Sequence, residues 1–219
     1  MKKIVTLVLL LVSITFNGQN YSFFENDVRL VNSEDQDVIG NEIVTLTHFG
    51  FFPISEKFGF TDYASVEGND QYTYGQVLLG GYYNITDQLS IYLMAGKESV
   101  GDVLSQDVRF GYMAYFTTGD KIRTYAFYQR NGNPFSSDTR DTHWYDLIFR
   151  YAIVSKESQS FYVAARYMRG YGIGLPLIFR VKISEGDSVY VAYTSFYDLD
   201  NLLPESSFLH SLSLTFEFF

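Results

Sequence analysis

Phe208-Leu-His-Ser-Leu-Ser-Leu-Thr-Phe-Glu-Phe-Phe219 alternates without a break. Leu212, Leu214, Phe216 and Phe218 fall on one face of an extended chain, and Ser211, Ser213, Thr215 and Glu217 on the other. Strand side chains alternate between faces, so this stretch reads as a strand with one apolar wall. A transmembrane barrel accounts for it. Every backbone group in lipid needs an inter-strand partner, and the last strand must close on the first.

Outward from that strand, the same period recurs between turn signals. Five short polar connections stand out, at 54–56, 84–88, 117–121, 155–159 and 184–188. They alternate with longer ones at 32–42, 67–71, 97–103, 131–142, 170–174 and 198–207. This predicts twelve strands, over 22–31, 43–53, 57–66, 72–83, 88–96, 104–116, 121–130, 143–153, 160–169, 175–183, 188–197 and 208–219. Both termini then lie at the short-turn end, the periplasmic end of an outer-membrane barrel. Ten strands is the competing count. The fold class expected is therefore all-β, an antiparallel transmembrane β-barrel. A soluble sandwich or lipocalin-like barrel would alternate too, with its apolar face inward.

Lys2 and Lys3 precede an apolar run from Ile4 to Phe16, then Asn17-Gly18-Gln19. The run is too short to span a bilayer and reads as a secretory signal over 1–18, leaving 19–219 as one barrel domain. The chain has no Cys, which excludes disulfides, thiolate metal sites and a lipidated cysteine. Without Lys2 and Lys3, 14 basic residues face 25 acidic ones, a balance that argues against nucleic acid. The 19 Tyr and 20 Phe beside one Trp suit aromatic girdles at two membrane interfaces. A mean hydropathy of −0.04 fits a wall whose lipid and lumen faces cancel.

With the apolar face outward, the lumen receives Arg109, Arg150, Arg166, Arg180 and Lys182, together with Asp107, Asp146 and Glu217. Basic rings in a pore favour anions. Tyr72, Tyr74 and Tyr82 share a face with Gln76, and Tyr92 and Trp144 also turn inward; such rings could stack on a sugar or a base. The pore-lining or ligand candidates are thus Arg109, Asp146, Arg150, Arg166, Arg180, Lys182, Tyr82, Tyr92, Trp144 and Glu217. Equally, these charges could pair across the barrel and fill it, since small barrels are filled by side chains.

Enzyme readings find little. His48, His143 and His210 are scattered, and His210 and Ser211 are strand neighbours that point to opposite faces. No G-x-S-x-G occurs, nor any H-E-x-x-H, and no metal or cofactor is implied. The acidic pairs Asp35/Asp37 and Asp198/Asp200 do not complete a calcium loop, because positions 46 and 209 are both leucine.

The mature chain resembles bacterial outer-membrane β-barrels. Asn41-Glu-Ile-Val-Thr-Leu-Thr-His-Phe49 and Lys57-Phe-Gly-Phe-Thr-Asp62-Tyr63 resemble the nucleoside-specific channel (Tsx-like) family, over about 25 residues. That resemblance implies a twelve-stranded narrow channel with a basic and aromatic lumen. The terminal aromatic resembles the signal read by the barrel-assembly machinery, but the apolar positions sit one register off and leave Phe219 as an extra residue. The expected function is passage of small polar or anionic solutes, nucleoside-like among them, through the outer membrane. The alternative is a filled barrel serving as a structural or partner-binding subunit, with 131–142 and 198–207 as its contact loops. The partners expected are membrane lipid, a small polar solute and the assembly machinery.

Overall fold

The computed structural model describes residues 21–31, 42–68, 73–101, 103–105, 107–118, 121–132, 143–169, 172–184, 187–197 and 208–218; among these, the side chains of 21–31, 42–43, 208–209 and 218 are not described. The signal segment 1–18, Asp35, Asp37, Tyr72, Asp198, Asp200, Phe219 and most of the two contact loops lie outside those residues.

The described residues form strands only: β1 (Tyr21–Val31), β2 (Glu42–Pro53), β3 (Phe58–Gly68), β4 (Thr73–Asn84), β5 (Leu89–Val100), β6 (Val103–Leu104), β7 (Arg109–Thr118), β8 (Ile122–Asn131), β9 (Trp144–Ser155), β10 (Gln159–Met168), β11 (Gly172–Gly174), β12 (Leu177–Lys182), β13 (Ser188–Tyr197) and β14 (Phe208–Phe218). All pairings are antiparallel and the sheet closes. β14 pairs with β1, running from Ser22 opposite Phe218 to Val31 opposite Leu209, and β9 pairs with β10.

Two segments do not count as separate staves. β11 and β12 both lie between β10 and β13, so they are one crossing strand interrupted at Leu175-Pro176. Proline has no N–H to give a ladder, and the break is bridged by Leu175 N–H donating to the Ser195 carbonyl and Ala164 N–H to that of Pro176. β6 pairs only with β5, folding back through Gly101 at φ 59°. Twelve crossing positions remain around the described barrel.

The strand expected over 104–116 is corrected by this fold-back: the crossing strand begins at Arg109. Asp107, expected in the lumen, is exposed in the connection, where its carbonyl accepts from Lys97 Nζ at 3.2 Å.

Exposure follows the alternation. On β14, Leu212, Leu214 and Phe216 are 57%, 38% and 37% exposed, while Ser211, Ser213 and Glu217 are buried. Leu147, Phe149, Tyr151 and Ile153 on β9, and Leu177 and Phe179 on β12, continue the outward apolar belt. A closed barrel wrapped in exposed aliphatic and aromatic side chains is solvated by lipid.

The interior is packed along one side. Phe49 (β2) meets Tyr92 (β5) at 5.9 Å between ring centroids, and Tyr63 (β3) meets Phe127 (β8) at 5.1 Å. These strands are not neighbours, so the rings cross the lumen. Leu78 and Met94 complete the cluster, with Phe51, Tyr82, Met113 and Trp144 against it. Gly111 makes room for it: a Cβ there would stand 2.9 Å from Leu78 Cδ1 and 3.1 Å from the Phe127 ring.

Candidate functional site

The lumen divides into an aromatic half, bounded by β2 to β9, and a polar half, bounded by β9 to β14. Every candidate named from the sequence stands at an inward register position, but they separate into three groups with different partners.

In the first group, Arg109 lies near the longer-loop rim, while Tyr82 and Tyr92 stand beside the short turn that joins β4 to β5. Arg109 on β7 donates through Nε to Gln129 Oε1 at 2.7 Å and through Nη1 to Asn131 Oδ1 at 3.1 Å, and pairs closely with Glu98. Glu98 also accepts from Tyr74 Oη at 2.9 Å and Asn131 Nδ2 at 2.5 Å. A buried cation with this many bonds is held rather than offered to a solute. Tyr82, Tyr92 and Trp144 belong to the aromatic cluster: Tyr82 and Tyr92 are 5.6 Å apart, and Trp144 sits edge-on to Phe127 at 5.8 Å.

The second group crosses the barrel. Arg123 on β8 reaches the opposite wall, where Nη1 donates to Tyr190 Oη at 2.9 Å and lies 3.3 Å from Glu217 Oε1. Tyr190 Oη in turn donates to Glu217 Oε2 at 2.5 Å. Glu217 therefore meets Arg123, a residue absent from the candidates named in the sequence. Arg123, Tyr125, Phe127 and Gln129 share the inner face of β8, and a ring among them hides the polar alternation that would have marked Arg123.

The third group surrounds a cavity of about 20 Å³, room for a water rather than a solute, lined among others by Arg150, Arg166, Tyr190, Thr194, Ser213 and Thr215. Arg166 is fixed by Asp146, with Nε donating to Oδ1 at 2.8 Å and Nη2 to Oδ2 at 2.7 Å, and Tyr125 Oη donates to the same carboxylate at 2.8 Å. Arg180 donates to Ser188 Oγ at 3.1 Å and places its guanidinium 5.8 Å from the Tyr190 ring centre. Lys182 stands opposite Ser188, further toward the short-turn rim. Arg150 stands in register beside Arg123, and its Nε is buried without a hydrogen-bond partner. Like charges on adjacent strands disfavour one another, and here Glu217 pairs with Arg123 and Asp146 with Arg166. Glu25 and Asp27 of β1 stand in register with Thr215 and Ser213.

No protein-family description matches this sequence, and no curated protein does either. Solved structures do match in shape. The KdgM porin aligns with a TM-score of 0.56 at 11% identity, covering 90% of this chain and 99% of that one. The Pseudomonas putida toluene transporter TodX aligns at 0.54 with 8% identity, over 94% and 91% of the two chains. The Escherichia coli outer membrane phospholipase A aligns at 0.50 with 10% identity, over 90% and 92%. The fold is that of the outer-membrane β-barrels. Two of these three neighbours are channels or transporters and one is an enzyme, so the shared fold leaves the chemistry to the site.

One further pair was missed in the sequence. His48 and Asp62 are brought together across β2 and β3, Nδ1 to Oδ2 at 3.0 Å. His48 pairs in register with Ala64, and Asp62 with Gly50 and Leu79, so both belong to the outer face. Nothing in the spacing of residues 48 and 62 announces a contact set by hairpin register.

Proposed function

We propose that this outer-membrane barrel is a narrow channel for small polar or anionic solutes, with its route along the polar half of the lumen. The observation that carries the proposal is Arg150: a half-buried arginine whose Nε has no hydrogen-bond partner, bordering a cavity with Arg166, Tyr190, Thr194, Ser213 and Thr215. A water-filled path with fixed cations and hydroxyls replaces the hydration of an anion. Arg180, which lies over the Tyr190 ring and is less buried than it, could stack on a base or sugar, which makes a nucleoside-like solute the specific candidate. The KdgM porin has been seen in complex with disordered oligogalacturonate, whereas TodX is a toluene transporter; inward arginines favour a cargo of the first kind. A cleaved signal at 1–18, recognition of β14 by the assembly machinery and the absence of covalent chemistry belong to the same proposal.

The second reading is a filled barrel acting as a structural or partner-binding subunit. The ring contacts from Phe49 to Tyr92 and from Tyr63 to Phe127, with the Arg123–Glu217 strut, favour it. Conductance of the refolded protein in planar bilayers separates the two. Discrete steps with anion preference support the channel, and a trace at leak level rules it out. If steps appear, Arg150→Ala with Arg180→Ala should weaken the anion preference; an unchanged reversal potential would remove both residues from the route.

A further inference from the structure

On the outer wall near the longer-loop rim, four adjacent strands build a cluster that the lumen does not use. Tyr112 (β7), Tyr128 (β8) and Tyr145 (β9) stand opposite one another in one row. Tyr112 and Tyr128 stack at 5.7 Å, and Tyr128 and Tyr145 lie 5.1 Å apart. Above the row His143 stacks on Tyr128 at 5.6 Å, with its Nδ1 2.6 Å from Tyr128 Oη. Arg130 stands two positions from Tyr128 on the same face of β8. Arg169 follows β10, is exposed, and continues the row: its N–H donates to the Tyr145 carbonyl at 3.0 Å and its guanidinium to the His143 carbonyl.

We propose that this cluster is a binding site for the phosphate-bearing headgroup of an outer-leaflet lipid, independent of what the lumen carries. Three features point there. The cluster lies on the outer wall, where its occupant is lipid. Tyrosines at this height place rings in acyl chains and hydroxyls among headgroups. Arg130 and Arg169 flank the row on two sides, and a guanidinium fork matches phosphate geometry. The longer loops set the leaflet, since in such barrels they face outside. His143, bonded to Tyr128, holds the aromatic row in place rather than supplying the charge.

The test is stabilisation of the detergent-folded full barrel by added lipid, read as the shift in its heat-induced unfolding on a gel. Bisphosphorylated lipid A and its dephosphorylated form are the two probes. The wild type should be stabilised by the first and not the second. Arg130→Ala with Arg169→Ala should raise the lipid A concentration needed by roughly 30-fold while the folded band remains. Lys121→Ala with Lys156→Ala, at the opposite rim, should leave it unchanged. Equal stabilisation by both lipids, no stabilisation by either, or an arginine variant that responds like the wild type would each overturn the proposal. If the double arginine variant does not fold, Arg169→Lys replaces it; retained charge with a lost fork should still weaken the response, and an unaltered response would count against the site.

Discussion

Arg123 and Glu217, separated by 94 residues in sequence, meet across the lumen at 3.3 Å, with the Tyr190 hydroxyl bonded to both. The strut ties β8 to β13 and β14 through the middle of the barrel, where the wall itself makes no such connection. Both side chains are largely removed from solvent, at 16% and 7% exposure. A buried cation that loses its carboxylate keeps its desolvation cost without the compensating attraction.

Glu217→Ala should therefore cost about 3 kcal/mol of unfolding free energy in lipid vesicles, and Arg123→Ala a similar amount. The double variant should cost less than their sum, because each single change already forfeits the shared contact. Urea titration of all four proteins measures the coupling. Additive losses would show that the two groups do not act as a pair. Where single-channel steps are observed, removing the strut should also increase their size.

Phe127 is the ring that links both sides of the aromatic half, touching Tyr63 and Trp144, and it is 4% exposed. Phe127→Ala should lose about 3–5 kcal/mol through burial and cavity terms together. The same change hollows the lumen beside Gly111. Conductance should rise in this variant even if the wild type is closed. A stable, still-silent variant would mean that the remaining rings collapse into the space.

Outward-facing positions should respond by depth. Leu214 lies midway along β14 and is 38% exposed, whereas Phe58 starts β3 beside a short turn and is 47% exposed. Leu214→Arg should cost about 2–4 kcal/mol and Phe58→Arg about 0–1 kcal/mol, because the charge at 58 reaches the interface. Equal costs, measured by urea titration in vesicles, would contradict the placement of these faces in lipid.

The alternation in β5, β9, β12 and β14 reveals the wall, its two faces and its closure, because lipid demands an apolar residue at every second position. The same period in β7, β9, β10 and β12 places Arg109, Arg150, Arg166 and Arg180 inward. Their partners are another matter. Arg123 to Glu217, Tyr63 to Phe127 and His48 to Asp62 depend on which staves face one another and on the shear of each pair. Those quantities emerge only when the barrel closes. The fold-back at Gly101 was hidden for a related reason: Val103 and Leu104 carry the same apolar signal whether they enter the wall or return onto β5.

Asp146 tests the balance between held and available charge. Its carboxylate takes both Arg166 bonds and the Tyr125 hydroxyl, and it is 3% exposed. Asp146→Asn keeps the shape and removes the charge, leaving Arg166 buried beside Arg150 without its neutralising partner. Stability should fall by about 3 kcal/mol, the cost of breaking a buried pair. Anion preference should rise if the route runs past Arg166, because one fixed negative charge has left the wall. Reversal potential across a salt gradient reads the second effect and a urea midpoint the first. A fall in stability with an unchanged reversal potential would place Asp146 in the scaffold and move the solute path away from Arg166.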